Sequence, residues 1–237
     1  MILLGIETAT SICGVALLRD DLIVAESILD RPRAHSEFLV PMIGDLLRHA
    51  DLAPADLTAI AVSSGPGSYT GLRIGVSTAK GLAAAVDASI VAVPSLEGVA
   101  EVVRPFAESG DLIVPAFHAR RHEIFAASFR VHARDGLESV QAPQAIGLEA
   151  AVAWLDDHTA ESIWLVGDGW KFMAESAIRP SIRVLAEVRP RPDAIARLGS
   201  GRLKRNLTEN LSTFEPHYLK EFVAKKPSAS AFEKLPF

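Results

Sequence analysis

Two histidines stand four residues apart in His118-Ala-Arg-Arg-His122. On a helix that spacing puts both imidazoles on one face, as a bound metal needs. The flanks, Leu112 to Ala116 and Ile124 to Phe129, are β-favouring instead, and strand residues four apart lie ~13 Å from each other, too far to share one ion. No Glu follows His118, as a zinc-protease helix requires. The segment reads as a solvated turn, and no metal site is expected.

The loop Ser64-Gly-Pro-Gly-Ser-Tyr-Thr70 precedes a helical pattern, and successive backbone amides before a helix form an anion site. Its letters depart from the phosphate motifs. No Lys-Ser/Thr stands at the Walker spacing, and Thr70 holds the place of the third dinucleotide glycine. Gly65 and Gly67 are read as a tight strand-to-helix turn. No Ser lies between glycines at nucleophile-elbow spacing. Cys13 sits inside a strand pattern and is read as a small buried hydrophobe.

Beyond the loop, Gly71, Gly75, Ala79 and Ala83 recur every four residues. A helix face without bulk lets another backbone come close. Each glycine inside a helix costs up to ~1 kcal/mol relative to Ala, so Gly75 and Gly81 need a packing reason. The chain's own sheet or the preceding helix is one; a partner subunit is the other. That preceding helix, His35 to Ala50, spreads Phe38, Leu39, Met42, Ile43, Leu46, Leu47 and Ala50 over about half its circumference, wider than one sheet requires, which favours a partner. The cations Arg179, Arg183, Arg189, Arg191, Arg197, Arg202, Lys204 and Arg205 stand against Glu187 and Asp193. They are read as a solvated surface, with RNA contact as the sharper alternative.

These residues need a scaffold. The chain has 237 residues, 49% apolar and 22% charged, with a formal charge of -5, a composition that excludes disorder. One cysteine permits no internal disulfide. The start, Met1 to Ile6, lacks the basic residues of a signal peptide and meets Glu7 too early. The uncharged stretch Leu57 to Leu72 carries Gly65, Pro66 and Gly67, unlike the ~20 apolar residues of a membrane span. A cytoplasmic protein with no membrane partner is expected.

Strands are expected at Ile2 to Ile6, Ile12 to Leu18, Leu22 to Ile28, Thr58 to Ser63 and Ser89 to Val93, with helices at His35 to Ala50 and Gly71 to Val86. The second half follows suit with strands Leu112 to Ala116 and Glu123 to Phe129, a helix Leu148 to Asp157, and strand Ile163 to Val166 before Gly167-Asp-Gly169. A hairpin, a helix and a strand ending in a glycine turn thus occur twice, which implies two related α/β lobes. Residues 1–103 are assigned to the first lobe, 104–222 to the second and 223–237 to a loose tail.

The run Ile2 to Leu18, the segment His35 to Pro41 and above all Ser64 to Gly75 (SGPGSYTGLRIG) resemble the TsaB family, also called YeaZ. Pro94 to Gly98, Ala119 to Phe125, Gly167-Asp-Gly169 and Glu215 to Leu219 extend the likeness over most of the chain. The resemblance implies the partner subunit of the bacterial machinery that makes threonylcarbamoyladenosine at position 37 of tRNA. It also implies a two-lobed actin/Hsp70-like fold with duplicated ribonuclease-H-like lobes. The catalytic relative, TsaD, holds metal with His-x-x-x-His. Here the corresponding segment reads Ser95-Leu-Glu-Gly-Val99, and neither end can ligate an ion. Glu7 stands where nucleotide-binding members of the fold carry Asp, and His118 where this family carries Asp.

Three functions follow as expectations. The first is a non-catalytic subunit, holding no cofactor itself, that docks on a TsaD-like transferase carrying the ATP and metal. It would use Phe38, Leu39, Met42, Ile43 and Leu46 of one helix, and Gly71, Gly75, Ala79, Leu82 and Ala83 of the next. A TsaE-like ATPase would join, tRNA would be met indirectly, and the chain alone would form a homodimer. The second is a stand-alone metallopeptidase-like or ATP-using enzyme; the third is a tRNA binder using Arg179 to Arg205.

Overall fold

The computed structural model describes residues 1–119, 123–132, 136–156, 162–171 and 180–220. The expected tail, together with Arg120, Arg121, His122 and Arg179, lies outside the described residues. β1 (Ile2–Glu7) and β2 (Ile12–Arg19) pair antiparallel, and β3 (Leu22–Asp30) pairs antiparallel with β2. α1 (His35–His49) leads to β4 (Ala59–Gly65), and α2 (Tyr69–Val86) to β5 (Ser89–Pro94), both strands parallel. The sheet order is β3-β2-β1-β4-β5.

α3 (Ser95–Val103) opens the second half. β6 (Leu112–His118), β7 (Glu123–His132), β8 (Gly136–Gly147), α4 (Leu148–Asp156), β9 (Ile163–Val166), β10 (Ile182–Leu185) and α5 (Pro192–Lys204) follow. Read from its antiparallel edge, the second sheet runs β8-β7-β6-β9-β10, with two antiparallel joins and then two parallel ones. Both sheets share one plan, so the two-lobed α/β architecture with duplicated ribonuclease-H-like lobes is present. Four elements had no clear trace in the sequence pattern: α3, β8, β10 and α5. β8 is an edge strand holding Pro143, with exposed Glu138, Ser139, Val140, Ala142 and Ala145, a composition that edges tolerate and that hides strand periodicity.

Alternation along the first sheet sends its residues to two faces. Leu4, Ile6, Cys13, Val15, Leu17, Ile60 and Val62 face α1 and α2. Leu3, Ala16, Ala59 and Ala61 face α5. The second face is made of small residues, so α5 lies close: a Cβ built on its Gly199 would fall 2.3 Å from the Ala61 Cβ.

α5 follows β10 in the chain yet packs on the first sheet, whereas α3 follows β5 and packs on the second, with Leu96, Val99 and Ala100 against Ile113, Phe117 and Phe129. Each half therefore lends one helix to the other half's sheet. The two lent helices cross at Gly98, whose built Cβ would come 2.7 Å from Ile195 Cδ1. Beside the crossing, Arg202 donates to both oxygens of Glu97 at 3.0 and 2.6 Å.

Two glycines of one helix test this packing. Among the described residues nothing lies within 4 Å of a Cβ at Gly201. Gly199→Ala is expected to cost about 1–3 kcal/mol by overpacking, whereas Gly201→Ala gains up to about 1 kcal/mol from helix propensity. Urea denaturation of both variants checks this ordering; equal effects would contradict the close approach.

Candidate functional site

α2 starts at Ser68, whose side chain accepts from Gly71 N at 3.3 Å. The loop before it is held by the chain itself: Ser68 N donates to Ala9 O at 2.7 Å, and a Cβ at Gly67 would meet that same carbonyl at 2.3 Å. Gly65 has φ +115°, a conformation favouring glycine. The glycines make the strand-to-helix turn read from the sequence, with the Ser68 amide directed at the β1–β2 turn.

The stripe along α2 also has an internal partner. A Cβ on Gly71 would fall 2.1 Å from Thr8 O, and one on Gly75 would fall 2.1 Å from Thr8 Oγ1. Ala79 and Ala83 lie in the first-lobe core, as do Leu39, Ile43 and Leu46 of α1. This corrects the expectation that those seven residues meet another polypeptide, because the β1–β2 turn and first sheet already cover them. Phe38, Met42 and Leu82 remain half-buried at the rim.

The rim continues outward over residues that periodicity did not single out. Val40 is 64% exposed; Ile74 is half-buried, and Ser77, Ala84 and Ala85 are exposed. Gly44 in α1 and Gly81 in α2 are exposed, with nothing within 4 Å of a built Cβ. The packing reason sought for Gly75 is Thr8. Gly81 finds none among the described residues, and that unmet cost is the signal that could have marked this outer face.

A cleft of about 1250 Å³ separates the lobes. Its walls include Ala9, Gly67 and Tyr69 from the first lobe and His118 and Asp168 from the second. His118 N donates to Asp168 Oδ1 at 3.0 Å. His122, its proposed pair, lies outside the described residues. Among the described residues no group of three His, Cys, Asp or Glu side chains could hold a metal. Ser95 and Val99 do not fit a metal either: Ser95 Oγ accepts from Gly65 N at 3.0 Å, and Val99 is buried in the second-lobe core.

The basic stretch is largely tied down. Arg191 pairs with Glu26 of β3, Arg202 with Glu97, and Lys204 with Asp21 at 2.6 Å. Arg183 stacks over Trp164 at 4.6 Å. Much of the charge that suggested RNA contact instead fastens α5 and its flanks to neighbouring elements. Among the described residues no helix is long and apolar enough to cross a membrane.

Two buried groups titrate abnormally. Burial pushes the Cys13 thiol up to about 11, in keeping with an unreactive core residue. Glu7, ending β1, is wholly buried, and this drives its pKa up to about 7 despite hydrogen bonds from Ala9 N (2.6 Å), Ser63 and Thr8 N. The folded chain thus holds a proton on Glu7 that the unfolded chain releases between about pH 4.5 and 7. Stability from this group is present below that window and lost as pH rises through it. Glu7→Gln is expected to match wild type near pH 4, below the window, and exceed it by about 3 kcal/mol at pH 8, as read by urea denaturation at both pH values. A constant difference would contradict the shift.

Comparison with known proteins places the chain. A family model described as TsaD, tRNA N6-adenosine threonylcarbamoyltransferase, matches residues 23–228. The Bacillus subtilis tRNA threonylcarbamoyladenosine biosynthesis protein TsaB is 36% identical over 225 residues, covering 93% of this chain and 94% of that protein. The Escherichia coli protein of the same name is 34% identical over 131 residues, 55% of each chain. The solved structure of YeaZ from Pseudomonas aeruginosa superposes with a TM-score of 0.80 at 25% identity, over 92% of this chain and 99% of that one. A two-lobed body with duplicated sheets, a family model matched over residues 23–228 and a relative 36% identical over 93% of the chain lead to one assignment: the chain belongs to the TsaB/YeaZ family.

Proposed function

We propose that this chain serves threonylcarbamoyladenosine synthesis on tRNA as a non-catalytic, cytoplasmic subunit that docks on a TsaD-like transferase. The role in the pathway is supported by the names of its relatives. The docking reading is carried by one observation: exposed mid-helix glycines at Gly44 and Gly81 that no packing among the described residues explains. Each gives up as much as ~1 kcal/mol of helix stability relative to Ala. A second surface lying flat on α1 and α2, against Phe38, Val40, Met42, Ile74 and Leu82, accounts for that sacrifice. In the absence of the partner the same apolar rim would meet its own copy, giving a homodimer.

ATP and metal belong to the partner in this reading. The side chains at positions 95 and 99 support it, since one is engaged with the Gly65 amide and the other is core. A TsaE-like ATPase joins the assembly, and tRNA is met through the transferase.

Gly75→Leu cannot test docking, because its side chain would strike Thr8 and disturb the fold. Gly81→Arg can, because its first side-chain atom meets nothing. It is expected to keep or raise the urea midpoint, since helix propensity adds up to about 1 kcal/mol, and to weaken binding to the TsaD-like subunit by about 10-fold or more, measured by titration calorimetry and size-exclusion chromatography. Undiminished affinity would overturn this face as the docking site.

A further inference from the structure

After α5 the chain returns across the first lobe and then reaches the second. Glu209 N donates to Ile90 O of β5 at 2.9 Å. Phe214 enters the first-lobe core. Lys80, on α2, donates to the carbonyls of Phe214 at 2.8 Å and Ser212 at 3.4 Å. His217 N donates to Ser64 O at 2.7 Å, and a Cβ at Gly65 would lie 2.3 Å from His217 O. The Tyr218 ring rests on Tyr69, centroids 4.8 Å apart, and Arg73 caps the other partner of that stack at 4.6 Å. Lys220 then pairs with Glu123 of β7, on the far wall of the cleft.

One strand of chain therefore touches the loop 64–70, the first turn of α2 and the second lobe. We propose that residues 209–220 form a latch that couples closure of the interlobe cleft to the placement of α2's first turn. Its anchor is Lys80, its contact with the loop is His217 on Ser64 and Tyr218 on Tyr69, and its catch is Lys220 on Glu123. A change in cleft width pulls on Lys220 and reaches Tyr69 within two residues of latch. The consequence for regulation rests on the docking reading above: a ligand or partner that opens the cleft would loosen the helix that docks. The coupling itself does not rest on it.

Hydrogen-exchange mass spectrometry of the full chain, without any partner, tests the coupling. Lys80→Met keeps the aliphatic stem and removes both carbonyl contacts. It is expected to raise exchange about 5-fold or more in 209–218 and, with it, in 64–72, in line with the loss of one or two charge-assisted hydrogen bonds. Lys220→Ala, at an exposed ion pair, is expected to raise exchange in 64–72 about 2-fold. Should 209–218 loosen in Lys80→Met while 64–72 keeps its protection, the segment is a passive cover and the latch is overturned. Unchanged exchange in 64–72 for Lys220→Ala overturns the link across the cleft. If far-UV circular dichroism shows Lys80→Met to be unfolded, Tyr218→Leu takes its place with the same expected and contrary results. No partner is present, so a negative result here leaves Gly81→Arg informative, and failure of docking leaves the latch standing.

Discussion

The crossing of α3 and α5 holds this molecule together. Each helix leaves one sheet and packs on the other, and the two meet where Gly98 carries no side chain and Ile195 fills the space. A larger residue at 98 would separate them, moving α5 off the small-residue face of the first sheet and α3 off the second. The Glu97–Arg202 pair, both side chains 16% exposed, is two-pronged and largely desolvated, the geometry in which an ion pair specifies orientation as well as adding attraction. The lobes are thereby interlocked, and the cleft between them is framed by loops whose positions the crossing sets.

Because α5 covers one face of the first sheet, α1 and α2 must cover the other. α2 settles so closely on the β1–β2 turn that Gly71 and Gly75 meet Thr8 directly. The inner faces of both helices are then consumed by the core. What is left for another polypeptide is the outer rim, where Val40, Gly44 and Gly81 stand open. The same close seat carries a cost at its base: Glu7 is sealed beside Thr8 and Ser63, where solvent cannot stabilise its charge.

The charge distribution follows from the same geometry. Arg191, Arg202 and Lys204 look like a basic patch in a linear reading, but acidic partners far away in sequence hold them, at Glu26, Glu97 and Asp21, with nearby Asp193 also on Arg191. Long-range pairing of this kind turns a candidate RNA-binding run into fastenings between α5 and the elements around it, and leaves the helix rim as the surface with unexplained features.

Local pattern determined a good deal here. Short apolar, β-favouring runs placed β1, β2, β3, β4, β5, β6, β7 and β9, and the wide apolar stripe of α1 and the Gly-Pro-Gly loop placed the helices and the turn between them. These are short-range signals, carried by side chains within one or two turns of each other. Repetition of that pattern implied two lobes, and the SGPGSYTG segment carried the family. β8 and β10 left no clear trace because both are edge strands in which exposed residues interrupt the apolar run, whereas the equally short β9 is central and wholly buried. The partner of the Gly71–Ala83 stripe, the lending of α3 and α5 between sheets, and the sites of the acid–base pairs were decided only by tertiary structure. In each of these, a glycine, an arginine or a lysine states that something comes close without stating what, and the answer lies as far as 183 residues away.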